Sequence, residues 1–178
     1  MDENKVIPLL PLRGMLVFPG MIINLDVGRD RSIKAVEAAM AIDRKILLVT
    51  QREAGTIEPN ENDLFTYGVI AEIKQLLKLP NGALRILVEG FTRAKIEAVR
   101  DNKDIYFEAE VQEVASIIDD SNEVEALKRM LIETFEQWIL ASKKITSEVL
   151  LTFKDQPDPG RIADMIAGYL TIGIDEKE

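Results

Sequence analysis

The stretch from Tyr67 to Phe91 constrains the fold of this chain most. It reads Tyr67-Gly-Val-Ile-Ala-Glu-Ile-Lys-Gln-Leu-Leu-Lys-Leu-Pro-Asn-Gly-Ala-Leu-Arg-Ile-Leu-Val-Glu-Gly-Phe91. Asn81-Gly82 stands between two runs rich in β-formers. That dipeptide accepts positive φ at both central positions of a type I′ turn, whose twist suits a hairpin. Such a turn fixes the register: Pro80 faces Ala83, Leu79 faces Leu84, Leu77 faces Ile86 and Lys74 faces Glu89. One face then carries Val69, Ala71, Ile73, Leu77, Leu79, Leu84, Ile86 and Val88. The other carries Glu72, Lys74, Lys78, Arg85 and Glu89, with Leu76 and Leu87 among them. The alternation predicts half-buried antiparallel sheet. Each arm is about twice the usual strand length of ~5–6 residues. It must bend at a bulge or project a tip bearing Leu77, Leu79 and Pro80. A projecting tip is a contact surface; a tip folded back on the sheet is ordinary core.

The flanking sequence extends this β unit. Val6-Ile-Pro-Leu-Leu-Pro-Leu12 reads as an edge strand, where a missing ladder donor is tolerated. Arg13-Gly14 and Val17-Phe-Pro-Gly-Met21 read as turns, the second exposed at Pro19-Gly20, and Ile22 to Val27 as a strand. Asp30 is placed to cap a helix over 31–43, and Lys45 to Thr50 reads as a short buried strand. Thr92–Val99 and Ile105–Val114 alternate again around Asp101-Asn-Lys-Asp104. The period then changes at Asp119-Asp-Ser-Asn122. Asn122 with Glu125 forms a capping-box pattern ahead of Leu127, Met130, Leu131, Thr134, Phe135, Trp138 and Ile139 at helical spacing. A second helix is expected from Thr146 to about Phe153, and Asp158-Pro159 opens a third through Leu170. Residues 175–178 are expected to fray. The predicted organisation is a mostly β domain over 1–116 and a helical subdomain over 117–178.

Composition excludes much chemistry. The chain of 178 residues has no histidine and no cysteine. That removes the usual zinc ligand sets, Ser-His and Cys-His nucleophile pairs, and imidazole acid–base work. No phosphate-binding glycine motif and no Gly-x-Ser-x-Gly elbow occurs. The serines sit at predicted helix starts, ends or a linker, where capping accounts for them. We therefore expect no catalytic residue, no cofactor, no ATP hydrolysis and no peptide cleavage. Glu58-Pro-Asn-Glu-Asn-Asp63 lacks the spacing of a calcium loop and reads as a solvated acidic loop, so no metal site is expected. Lys143-Lys144 reads as a dipole partner at a helix end, and Phe135 with Trp138 as core. At 47% hydrophobic the chain buries a core, and its net charge of −9 disfavours nucleic-acid and anionic-lipid partners. Absence of cysteine makes a reducing cytoplasm the expected compartment. The apolar stretch from Val6 to Ile23 is too interrupted by Pro, Gly and Arg to span a membrane as a helix.

Several collinear segments resemble one family. Ile7-Pro-Leu-Leu-Pro-Leu-Arg-Gly-Met-Leu-Val-Phe-Pro-Gly-Met21 is similar to the opening of bacterial ATP-dependent Lon proteases. Leu25-Asp-Val-Gly-Arg-Asp30, Gly68 to Lys74, Leu77-Lys-Leu-Pro-Asn-Gly82, Val88-Glu-Gly90 and Arg93-Ala94 resemble the Lon amino-terminal domain in the same order. Pro159-Gly-Arg-Ile-Ala-Asp164 resembles its helical continuation. The resemblance implies an α+β chain: a PUA-like, mostly antiparallel β-barrel with one helix, followed by a small helical bundle. It implies a non-catalytic part of a homo-hexameric AAA+ protease that captures unfolded or damaged proteins. Substrate contact is expected at Pro19, Met21, Leu77, Leu79 and Pro80, presented by the Asn81-Gly82 turn. An assembly module of the protease and a PUA-type nucleic-acid binder are the rival readings.

Overall fold

The computed structural model describes residues 5–102, 105–117, 121–142, 145, 147–154 and 156–178. The chain divides into two compact units, Met1–Ala115 with Ile172–Glu178, and Ser116–Thr171. The first holds strands β1 (Lys5–Leu12), β2 (Ile22–Val27), β3 (Lys45–Thr50), β4 (Tyr67–Lys78), β5 (Leu84–Asn102) and β6 (Tyr106–Val114), helix α1 (Asp30–Ala41) and the single-turn α5 (Ile174–Lys177). The strands form one sheet in the order β2-β5-β4-β3-β1-β6, and the far half of β5 also pairs with β6.

This corrects the expected mostly antiparallel β-barrel. Among the described residues the sheet does not close as a barrel: it is mixed, with β1 and β3 parallel, and β2 ends it, pairing with β5 alone. Apolar clusters also lie on both faces instead of filling one lumen. Successive side chains of a strand point to opposite faces. Accordingly Leu10, Leu12, Ile46, Leu48, Ala71 and Ile73 join one cluster under α1, while Leu9, Leu47, Val49 and Ile70 join another. Helix α1 contributes Ala35, Val36 and Ala39, all fully buried.

β1 is central, not an edge strand. Its prolines are accommodated because the two pairings overlap only at Leu9. Pro8 precedes the pairing with β3 and Pro11 follows the pairing with β6, so each lies where one neighbour is absent. The expected separate strand over 92–99 is the continuation of β5. Helix α1 begins at Asp30, with Arg29 at the N-cap and no side-chain cap.

The second unit holds α2 (Asn122–Ser142), a 3-10 turn over Ser147–Leu150, α3 (Leu151–Lys154) and α4 (Pro159–Tyr169). Phe135, Ile139, Phe153, Ile162 and Ile166 form its core, and Trp138 stacks on Phe135 at 5.5 Å. Leu127 and Met130, expected on the same stripe, are more than half exposed. The cap of α2 is Ser121, whose Oγ accepts the Val124 N–H at 3.3 Å, and not Asn122. Asp158 caps α4 as expected, accepting the Gly160 N–H at 2.9 Å with Pro159 in the first turn. The expected features at Lys103-Asp104, Asp119-Asp120, Lys143-Lys144 and Thr146 lie outside the described residues. Among the described residues no helix is long and apolar enough to cross a membrane.

Candidate functional site: the outer face of the β2-β5-β4 ribbon

The β4–β5 turn is longer by one residue than a type I′ turn. The Gly82 N–H donates to Leu79 O at 3.0 Å and the Leu79 N–H to Ala83 O at 2.8 Å. Gly82 sits at φ 85°, whereas Arg44 is the one non-glycine at positive φ among the described residues. This is a three-residue loop, Pro80-Asn81-Gly82, in which a type I turn is followed by a left-handed glycine. Asn81 acts through its side chain, whose Oδ1 accepts the Ala83 N–H at 3.1 Å.

The longer loop moves the register by one residue. Leu77 pairs with Arg85 and Leu76 with Ile86, whereas Leu77 was expected to face Ile86. A one-residue slip exchanges the faces of a strand. Leu76 therefore packs against the core cluster, and Leu77 stands 59% exposed. The pattern is restored by bulges, so the arm bends as one of the two expected alternatives required. The register shifts between Ile73 and Gln75, making Lys74 an extra residue, and between Ile70 and Ala71, making Phe91 an extra residue on β5. Ile73 consequently returns to the core.

Three strands present the solvent face of this ribbon. The cross-strand rows are Asp26, Arg85, Leu77; then Asn24, Leu87, Gln75; then Ile22, Glu89, Glu72. Ile22 is 62% and Phe91 49% exposed. Between the apolar groups the charges are paired. Arg85 holds Asp26 through two bonds of 2.7 and 2.8 Å, which lowers the Asp26 pKa. Lys74 bonds Glu72 at 2.9 Å and Glu89 at 3.1 Å, which raise its pKa, and lies 5.1 Å from the Phe91 ring centroid. Bulges re-aim side chains, and here two of them bring Lys74 and Phe91 together.

The sequence-predicted contact residues fall into two groups. Leu77, Leu79, Pro80, Asn81 and Gly82 cluster at the hairpin tip, with Leu79 partly buried and Pro80 exposed. Pro19 and Met21 belong to the turn Phe18–Met21, which is anchored elsewhere. The Gly20 N–H donates to Gly90 O at 2.8 Å and the Gly90 N–H to Met21 O at 2.9 Å. A Cβ on Gly90 would meet Phe18 O at 2.8 Å, so this close approach needs glycine. Met21 is partly buried, and its sulfur accepts the Phe18 N–H at 3.2 Å. Six residues of β2 separate the two groups, roughly 20 Å of strand. Sequence reasoning missed Ile22 and Phe91. Alternation along Ile22–Val27 carried the signal for Ile22; the bulge that exposes Phe91 left none.

The acidic loop uses its own polar groups. Asn60 Oδ1 accepts the Asn62 N–H at 2.9 Å, and Asp63 Oδ2 accepts the Asn60 N–H at 2.8 Å. Among the described residues no cluster of three or more acidic groups is arranged to hold a metal.

Residues 6–178 match the family described as the ATP-dependent protease La (LON) substrate-binding domain. The chain is 51% identical over 177 residues to a Lon protease of Desulforamulus reducens, covering 99% of this chain and 22% of that protein. It is 47% identical over 177 residues to the Lon protease of Escherichia coli K12, with 99% and 22% covered. It therefore spans about a fifth of the length of the curated relatives it matches. Among solved structures it resembles the N-terminal domain of Mycobacterium avium complex Lon protease, with a TM-score of 0.78 at 24% identity, over 97% of this chain and 87% of that one. A Lon N-terminal domain protein from Xanthomonas campestris follows at a TM-score of 0.53 and 20% identity, over 93% and 99%. At these identities the structural likeness speaks for the fold.

Proposed function

The chain belongs to the Lon substrate-binding domain family, and from that premise we infer that it captures unfolded or damaged proteins and passes them to the ATP-dependent protease of which it forms part. The matched stretch is the non-catalytic substrate-binding part, and the chain carries no nucleotide-binding or peptidase motif of its own.

The observation that carries the reading is the exposure of Ile22, Leu77 and Phe91 on a hydrogen-bonded ribbon. Large apolar side chains left in water on a rigid element mark interaction surfaces when they share one patch. Unfolded proteins display the apolar segments that folded ones bury, so such a face selects them without a fixed sequence. Paired charges between the apolar groups keep the face soluble. Contact at the hairpin tip involves Leu77, Leu79 and Pro80, and the turn at Pro19 and Met21 forms a second point of contact. Assembly as a homo-hexamer and residence in the cytoplasm, which the resemblance to Lon proteases implies, form part of this reading.

A reduced, denatured client carrying photo-crosslinkers tests it. Labelling concentrated on 19–27, 72–91 and the tip is the expected map. Labelling only between copies of the chain would favour an assembly module instead.

A further inference from the structure

We propose that the free side of β2 binds an extended polypeptide segment as an added antiparallel or parallel strand, with its alternate apolar side chains entering the adjoining cavity. The proposal rests on the capture reading and specifies how one part of a client is held.

Every other strand of the sheet has a partner on each side; β2 pairs with β5 alone among the described residues. In an antiparallel pair, residues alternate between exchanging both backbone bonds with the partner and pointing them away. Gly90 donates to Met21 O, in phase with Ile23, Leu25 and Val27. Ile22, Asn24 and Asp26 therefore direct their N–H and C=O groups to the open side. Exposed edges are normally blunted by proline, lysine or a bulge. The run Ile22-Ile-Asn-Leu-Asp-Val27 has none of these, and its one charge, Asp26, is held by Arg85. Unpaired ladder groups of this kind are complemented by another strand.

A space lined by both polar and apolar groups adjoins the edge. A cavity of about 600 Å³ is lined by Asn24–Val27 on one side and by Leu10, Leu12, Arg13 and Met15 on the other. An added strand would point every second side chain toward Leu10, Leu12 and Met15. Arg13 and Arg29 also line the cavity and form no ion pair among the described residues. Arg13 donates to Ile57 O at 3.0 Å, and Arg29 to Pro11 O at 2.6 Å and Gln51 Oε1 at 2.8 Å. Burial, then the charge of Arg13, lowers the Arg29 pKa. A carboxylate on the incoming segment would complement these two cations. The occupant is thus a segment of about six residues with apolar groups at alternate positions and an acidic flank. Recognition through the main chain suits clients that share no sequence.

The probe is a soluble peptide with valine at alternate positions and a glutamate at one end, together with versions N-methylated at single backbone nitrogens. Methylation leaves the protein untouched, so folding of a variant is not at issue. The expected result is a period of two: about tenfold weaker binding at every second position and about twofold or less between them. In parallel, the amide hydrogens of Asn24 and Asp26 gain protection from exchange on binding. Asn24→Pro removes the central donor and weakens binding about tenfold, whereas Asn24→Thr, which keeps it, does not. Replacing the flanking glutamate by lysine weakens binding. Affinity that ignores N-methylation at every position overturns the strand addition. If a denatured protein still binds both wild type and Asn24→Pro in that case, capture by the ribbon face stands without it. If denatured proteins fail to bind the wild-type chain, both readings fall.

Discussion

Leu77→Glu separates binding from folding, because the register leaves this side chain on the solvent face. Leu77 is 59% exposed. Full burial of a leucine is worth about 1.5–3 kcal/mol, so the covered portion contributes roughly 0.6–1.2 kcal/mol to the fold. The new carboxylate would stand opposite Arg85 on β5, and an opposite-charge cross-strand pair contributes roughly 0.2–1 kcal/mol. These effects oppose each other, so Tm should fall by about 5 °C or less. Binding loses more. Covering the exposed remainder against a client is worth roughly 0.9–1.8 kcal/mol, or about 5–20-fold in Kd. The stranded carboxylate adds a desolvation cost, which brings the expected loss to tenfold or more. The assay pairs thermal unfolding with fluorescence anisotropy of a reduced, unfolded client at low and high salt. Salt should hardly change the part of the affinity that Leu77 contributes, since apolar contact is not screened. Leu76→Glu, aimed at the core cluster, should instead unfold the unit. Wild-type affinity in a well-folded Leu77→Glu protein would refute the reasoning, as would a large loss of stability.

Gly90→Ala should destabilise the first unit by several degrees in Tm, because the added Cβ would lie 2.8 Å from Phe18 O and 3.0 Å from Val69 Cγ1; unchanged unfolding would show that the Phe18–Met21 turn yields freely. Gly82→Val should cost more than Asn81→Val: the first forces a β-branched residue to φ 85°, while the second removes one side-chain hydrogen bond worth about 0.5–1.5 kcal/mol. Equal effects in chemical denaturation would mean that Asn81 carries the left-handed conformation. Asp26, whose carboxylate is held by Arg85, should titrate below the ordinary value of 3.8 in NMR. Its contribution to stability is present above that value and is lost as pH falls through the lowered one. Arg85→Gln should return the titration toward 3.8, and a normal titration in the wild type would show the pair open in solution.

Local chemistry determined a good part of this protein. The hairpin, the buried Lys45–Thr50 strand, the helical stripe around Phe135 and the Asp158-Pro159 cap follow from period and capping rules that act over a few residues. The collinear segments that resemble Lon proteases were likewise legible, and the family match over 6–178 agrees with them. Long-range pairing was not legible. Asn81-Gly82 admits more than one turn, and the three-residue loop chosen here exchanged Leu76 and Leu77 between the two faces of β4, while Leu84 and Ile86 on β5 kept the core face. The bulges at Lys74 and Phe91 then restored the core register, and only neighbouring strands fix where such extra residues go. The prolines of β1 suggested an edge, yet two partial pairings hold that strand at the centre. The expected barrel became a mixed sheet with β2 left free, since closure depends on which strands meet across the whole unit. The exposure of Ile22, Leu77 and Phe91 arises at that level too: the residues are written in the chain, but the face they share is made by pairing.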